Sequence, residues 1–169
     1  MIELEFFGIH RELPLNQPMV LLREVGGSGR VLPIWVGDAE GEAIARVLRG
    51  EEAPRPMTHD LLADVLGALE VELEAVHVTA LVDATFHAEL HLRSPLGSHV
   101  VSCRPSDAVA LVVRLGDVPI LGAEEVLDEA GLVVEEREDS IVGTDPEEEV
   151  RQFREFLEAV GPEDFLDES

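Results

Sequence analysis

Two stretches place the same chemistry at the start of a helical run. Arg55-Pro56-Met57-Thr58-His59-Asp60 is followed, about fifty positions later, by Arg104-Pro105-Ser106-Asp107. The free N–H groups at a helix start, beside a guanidinium, make an anion site suited to phosphate. His59 adds an imidazole whose ordinary pKa of about 6.5 suits proton transfer. Asp60 beside it offers a second carboxylate or a metal ligand. If the helix mouths converge, Asp60, Asp107, Glu40 and Glu42 could hold Mg²⁺ or another divalent cation against a substrate phosphate. Each residue also has a plainer reading. Proline halts the preceding structure, Thr58 and Ser106 cap, and the aspartates complement the helix dipole, each on the order of 0.5–1 kcal/mol. Arg55 and Arg104 then pair with acids as structural clamps. His59 is then a surface residue, and the carboxylates are accidental neighbours in a chain with 36 acids.

The elements that would position these residues follow from periodicity. IELEFFGI (2–9) reads as a strand, and MVLLREV (19–25), GGSG and RVLPIWV (30–36) as a glycine-turned hairpin. AEGEAIARVLRG (39–50) has helical spacing, with Ala43, Ile44, Val47 and Leu48 on one side. Thr58 is the expected cap of the next helix, to residue 69, whose stripe is Leu61, Leu62, Val65, Leu66 and Leu69. Strands follow at 74–82, 84–93 and 98–104. In the second of these Phe86, Ala88, Leu90 and Leu92 alternate with His87, Glu89 and His91. Ser106 is the expected cap of a helix to residue 115, ahead of a short strand at 118–121 and a short helix at 123–131. Glu42-Ala43-Ile44-Ala45 and Asp107-Ala108-Val109-Ala110 each open a helix after a strand, which hints at an internal duplication. The expectation is one α+β domain over residues 1–131, with a mixed, largely antiparallel sheet and three main helices.

Composition narrows the function classes. The 12 basic side chains against 36 acids are all arginine, so positive charge exists only as planar guanidinium. A net charge of −24 repels nucleic acid at long range, so phosphate binding requires a local arginine cluster or a bound cation. No apolar run approaches the roughly 18 residues that span a bilayer, and the opening MIELEFFGIH lacks the basic region of a signal peptide. One cysteine allows no internal disulfide. A cytoplasmic protein without membrane contact is expected. Residues 132–169 hold 14 acids against Arg137, Arg151 and Arg154. Within them, 146–160 should form an amphipathic helix with Val150, Phe153, Phe156, Leu157 and Val160 as its seam. That helix would dock on its own domain or on a neighbouring subunit of a homo-oligomer, or contact a basic partner.

Other suggestive residues are set aside on physical grounds. His87 and His91 have metal-ligand spacing only on a helix; on a strand they lie about 13 Å apart, too far for one zinc ion. They read as the polar face of a half-covered sheet. Cys103 ends an apolar strand without metal-ligand company and reads as buried and inert. Trp35, between Ile34 and Val36, reads as core. GGSG lacks the Lys-Ser of a phosphate loop.

Taken together, LPIWVGDAEGEAIA (32–45), RPMTHDLL (55–62), DATFHAEL (83–90) and CRPSDAVALVVR (103–114) resemble the bifunctional nuclease (BFN) family, in that order and spacing, over roughly residues 1–131. The resemblance implies a compact α+β domain that degrades both DNA and RNA. Carried over by position, it points to Glu40, then to Arg55, Thr58, His59 and Asp60, and then to Arg104, Ser106, Asp107 and Arg114. On this reading His59 is general base or acid, and Asp60 and Asp107 position water or metal. Arg55 and Arg104 stabilise phosphate charge, while Thr58, Ser106 and Arg114 contact substrate. Gly41 stands where the family pattern commonly has alanine. Some relatives add a C-terminal module linked to DNA-repair proteins, where this chain has its acidic tail. The reading from another class is a non-catalytic regulatory or binding domain whose tail contacts basic partners.

Overall fold

The computed structural model of the chain describes residues 1–12 and 16–133; the helix expected over 146–160 lies outside them. Three antiparallel strands, β1 (Ile2–Glu12), β2 (Gln17–Glu24) and β3 (Val31–Trp35), run into helix α1 (Asp38–Leu48). After helix α2 (Thr58–Ala68) the arrangement repeats. Strands β4 (Glu72–Val82), β5 (Thr85–Ser94) and β6 (Gly97–Cys103) run into helix α3 (Pro105–Leu115). The chain continues through β7 (Ile120–Gly122) and α4 (Glu124–Ala130). The sheet order is β3-β2-β1-β7-β4-β5-β6, so β7 joins two mirrored meanders. Among the described residues, β4 and β7 are the one parallel pair. The fold is therefore α+β on a mixed, largely antiparallel sheet. The echo between Glu42–Ala45 and Asp107–Ala110 falls near the start of the helix that closes each βββα unit.

Turn chemistry sets the strand pairing. Gly26, Gly27 and Gly29 take positive φ in the β2–β3 connection. At Gly27, φ 59°, a Cβ would lie 2.6 Å from Glu24 Oε1, so glycine suits both the turn and the Glu24 carboxylate beside it. That buried carboxylate accepts from Ser28 Oγ at 3.0 Å and Arg30 Nε at 3.0 Å, closing the hairpin. Asp83 and Ala84, at φ 48° and 57°, make the two-residue turn between Val82 and Thr85. The compact unit closes later than residue 131: Leu132 and Val31 exchange backbone hydrogen bonds, both 2.8 Å.

α3 is the central helix, with Ala108, Val109, Ala110, Leu111 and Val112 all buried in one cluster with Leu22, Ile44, Val76 and Leu90. It packs against α1, α2 and the β4–β5 face. In β5, Ala88, Leu90 and Leu92 are buried while His87, Glu89 and His91 lie on the other face, as the alternation requires.

Three apolar expectations fail. Trp35 is exposed, because it stands at the last position of the edge strand β3. Leu48 is exposed at the last position of α1. The stripe of α2 is the largest failure. Leu61, Leu62, Val65 and Leu69 are exposed, and no residue of this helix is fully buried. Ala63 and Leu66 alone from α2 pack against the core cluster. The partly buried side of α2 is His59, Asp60, Ala63 and Leu66, so the helix is rotated and turns most of its apolar stripe away from the core.

Candidate functional site

Three helix starts meet around one guanidinium. Arg104 is the N-cap of α3, its Nε and Nη2 donating to the two oxygens of Asp107, 2.9 Å each. Its third nitrogen, Nη1, reaches Glu40 Oε1 of the first turn of α1 at 2.8 Å. From the first turn of α2, His59 Nε2 lies 3.3 Å from Asp107 Oδ1. His59, Asp107, Arg104 and Glu40 thus form a continuous polar chain across α2, α3 and α1. Arg104 is 64% exposed at its side chain, whereas the His59 side chain is only 13% exposed. Burial works to raise the Asp107 carboxyl, but hydrogen bonds from Arg104 and His59 outweigh it and hold it below the usual range. As an ionised acceptor, Asp107 requires a proton on His59 Nε2; in the neutral ring that tautomer leaves the lone pair on Nδ1.

Asp60 and Arg114 form a second pair just behind this chain. Arg114 Nε donates to Asp60 Oδ1 at 2.6 Å, Nη1 to the Ala110 carbonyl at 2.7 Å, and Nη2 to the Ala43 carbonyl at 3.1 Å. With its side chain 9% exposed and all three nitrogens engaged, Arg114 clamps α1, α2 and α3 together. Asp60 Oδ2 also accepts the Met57 N–H at 2.8 Å. The Arg114 hydrogen bond, then Met57, hold the Asp60 carboxyl below its ordinary pKa against the effect of burial.

The capping expectation is corrected at both motifs. Met57, not Thr58, is the N-cap of α2; Arg104, not Ser106, is the N-cap of α3. In α3 proline occupies the first helical position, where its fixed φ fits and its missing N–H is not needed. In α2 proline precedes the cap, so the two Arg-Pro motifs are offset by two residues against their helices. What the motifs share is an aspartate at the third helical position. Thr58 is exposed at the first position of α2, and Ser106 is buried.

Of the nine described arginines, eight hold ion pairs; Arg55 makes none among the described residues. It is exposed, four residues before His59. The carboxylates named as candidate metal ligands are each committed to a guanidinium: Glu40 and Asp107 to Arg104, and Asp60 to Arg114. Glu42 pairs with Arg49. Among the described residues no group of three or more His, Cys, Asp or Glu is arranged to hold a metal. In this arrangement the residues do not form a cation cage.

Sequence reasoning gave no sign that Arg104 reaches across to α1, since the contact joins residues 64 positions apart. Away from the site, His91 stacks on His77 with ring centroids 3.7 Å apart. Burial pushes the half-buried Cys103 thiol up to about 11, so it stays protonated at neutral pH. The hollows flanking α1 measure about 180 and 90 Å³. Both fall short of the roughly 300 Å³ at which small-molecule pockets begin.

The fold and this constellation define a class: an α+β domain with an Arg–Asp–His chain at the meeting point of three helix starts. The bifunctional nuclease domain family matches residues 20–135, and the chain belongs to that family. Over 164 residues it is 45% identical to an uncharacterized protein of Mycobacterium tuberculosis, covering 96% of this chain and 97% of that one. That similarity therefore runs into the acidic C-terminal segment as well. Two plant proteins named Bifunctional nuclease 2 share the domain. The one from Oryza sativa subsp. japonica is 30% identical over 108 residues, 62% of this chain and 33% of its own length. The one from Arabidopsis thaliana is 32% identical over 105 residues, 60% of this chain and 31% of its own.

Proposed function

We propose that this protein is a phosphodiester hydrolase acting on both DNA and RNA, working in the cytoplasm through His59, Asp107, Arg104 and Arg55. The observation that carries this reading is the 3.3 Å contact between His59 and Asp107 within reach of an exposed guanidinium. Hydrolysis of DNA and RNA at one site requires water as nucleophile, because DNA has no 2′-hydroxyl. His59 Nδ1 removes the water proton as the new P–O bond forms. The ester P–O bond breaks, and the departing oxygen is protonated from solvent. Asp107 stabilises the resulting imidazolium, and Arg104 and Arg55 counter the charge on the phosphoryl oxygens. Arg114 and Asp60 act behind this set, fixing the start of α2 and hence His59. Thr58 is exposed beside His59, where a substrate can reach it; Ser106 is buried, which corrects its expected substrate contact. A divalent cation would need Glu40 or Asp107 released from Arg104.

The second reading, a non-catalytic binding domain, draws on the mutual neutralisation of Glu40, Arg104 and Asp107 and on the chain's net charge of −24. Cleavage of end-labelled single-stranded DNA and RNA by highly purified protein, with and without EDTA, separates the two. On the nuclease reading, His59→Ala lowers the rate by about 10²–10⁴ with the fold unchanged. Full activity in a His59→Ala/Asp107→Ala variant refutes the assigned site. No cleavage by wild type under any metal condition gives the binding reading the lead.

A further inference from the structure

The sheet's two edges are treated differently. β3 is five residues long, contains Pro33, and has Val31 bonded to Leu132. β6 is seven residues long and pairs with β5 without a register shift. Its sequence, GSHVVSC, has no proline and no charged side chain. Shortness, proline, charge and bulges are the devices that keep an edge from pairing, and β6 has none of them. All of β6 up to Ser102 is exposed, with Val100 57% and Val101 46% accessible. Among the described residues no other segment pairs with its outer side.

We infer that β6 pairs antiparallel with β6 of a second copy of this chain, extending the sheet across a two-fold axis. The strand's own pattern points to a second copy over an unrelated peptide. Read in either direction, Ser98-His99-Val100-Val101-Ser102-Cys103 has two valines in the middle and small or polar residues outside. Antiparallel self-pairing therefore brings valine onto the valine region and polar ends onto polar ends, which only an identical partner guarantees. Val101 lies opposite Leu90 on the helix-covered face and Val100 opposite His91 on the other, so a two-fold axis through Val101 sets valine against valine beside the core. Charge agrees. Two copies of −24 repel, and an uncharged strip is where they can meet with few carboxylates facing one another. A basic peptide would find no carboxylate on this strand. Because Cys103 runs directly into Arg104, pairing centred on Val101 sets the two Arg104 residues about 20 Å apart along the seam, at about 3.3 Å per residue.

The test is sedimentation equilibrium of the full chain across the micromolar range at low and moderate salt. Hydrogen exchange on residues 98–103 is measured in parallel. The expected result is a species of twice the 18.5 kDa chain mass. It should tighten as salt screens the repulsion, with exchange protection of β6 rising with concentration. Val100→Lys and Val101→Lys should each weaken the dimer at least about tenfold. Both should leave far-ultraviolet circular dichroism unchanged. A monomer throughout the range, a trimer, or a dimer with β6 unprotected and indifferent to both lysines overturns the inference. A monomer whose β6 becomes protected only on adding an extended peptide overturns self-pairing as well.

Discussion

Replacing Arg114 by methionine keeps the aliphatic stem and removes the clamp. Three contacts go: the 2.6 Å bond to Asp60 and those to the Ala110 and Ala43 carbonyls. A hydrogen bond between charged groups contributes about 1.5–3 kcal/mol. Breaking a fully buried pair costs about 3–5 kcal/mol, because the remaining charge is stranded. Asp60 is not fully stranded: its side chain is 35% exposed and keeps the Met57 N–H. The two carbonyls retain helical partners, so their loss is minor. The net cost should be about 2–3 kcal/mol, lowering Tm by about 5–10 °C at this chain length. The loss should concentrate in α2, which buries no residue fully and is otherwise held by Ala63, Leu66 and the His59 contact. Amide exchange along residues 61–68 should then accelerate about 30- to 100-fold, read by hydrogen exchange with mass spectrometry. The control is Arg104→Met, whose exposed guanidinium should cost no more than about 1 kcal/mol. Equal Tm losses in the two variants, or unchanged exchange in α2, would refute Arg114 as the clamp that fixes His59.

Acid stability should depend on Glu24, whose carboxyl Arg30 holds at about 2 against the ordinary 4.5. A depressed folded-state pKa gives stability that is complete above pH 4.5 and is lost as pH falls toward 2. Glu24→Gln should flatten that part of the pH profile in denaturant titrations, by up to about 3 kcal/mol. Ala84→Gly should raise stability by about 1 kcal/mol in urea melts, because Ala84 sits at φ 57° in a two-residue turn where Asp-Gly is preferred. Gly41→Ala should cost about 1–2 kcal/mol despite its better helix propensity, since its Cβ would meet Pro18 Cβ at 2.7 Å. Chain ending at Val133 loses 14 acids and three arginines with residues 132–169 reduced to Leu132 and Val133, moving net charge from −24 to −13. If the tail shields the domain electrostatically, this truncated chain should bind single-stranded nucleic acid more tightly at low salt in a fluorescence titration; equal affinity leaves the tail without that role.

Local rules written into the sequence determined the elements and their order. The alternation of Phe86–Leu92, the glycines at 26–29 and the proline-led starts of α2 and α3 act within a few residues of themselves. The α+β class and the largely antiparallel sheet were therefore legible in the sequence, whereas the two βββα units, hinted at only by a strand-then-helix echo, emerged in the fold. The family resemblance was legible too, because its motifs are contiguous strings. Tertiary structure decided the rest. Which side of a helix faces the core depends on its tertiary contacts: His59 and Asp60 bind α3, so Leu61, Leu62, Val65 and Leu69 kept the helical period and still face out. Capping was decided by where each helix starts relative to its proline, which put Met57 and Arg104 at the caps in place of Thr58 and Ser106. Above all, partner choice among charges is a matter of distance in space. Of several arginines and 36 acids, only the packing of α1, α2 and α3 could assign Arg104 to Glu40 and Asp107 and Arg114 to Asp60, with Arg55 left unpaired among the described residues.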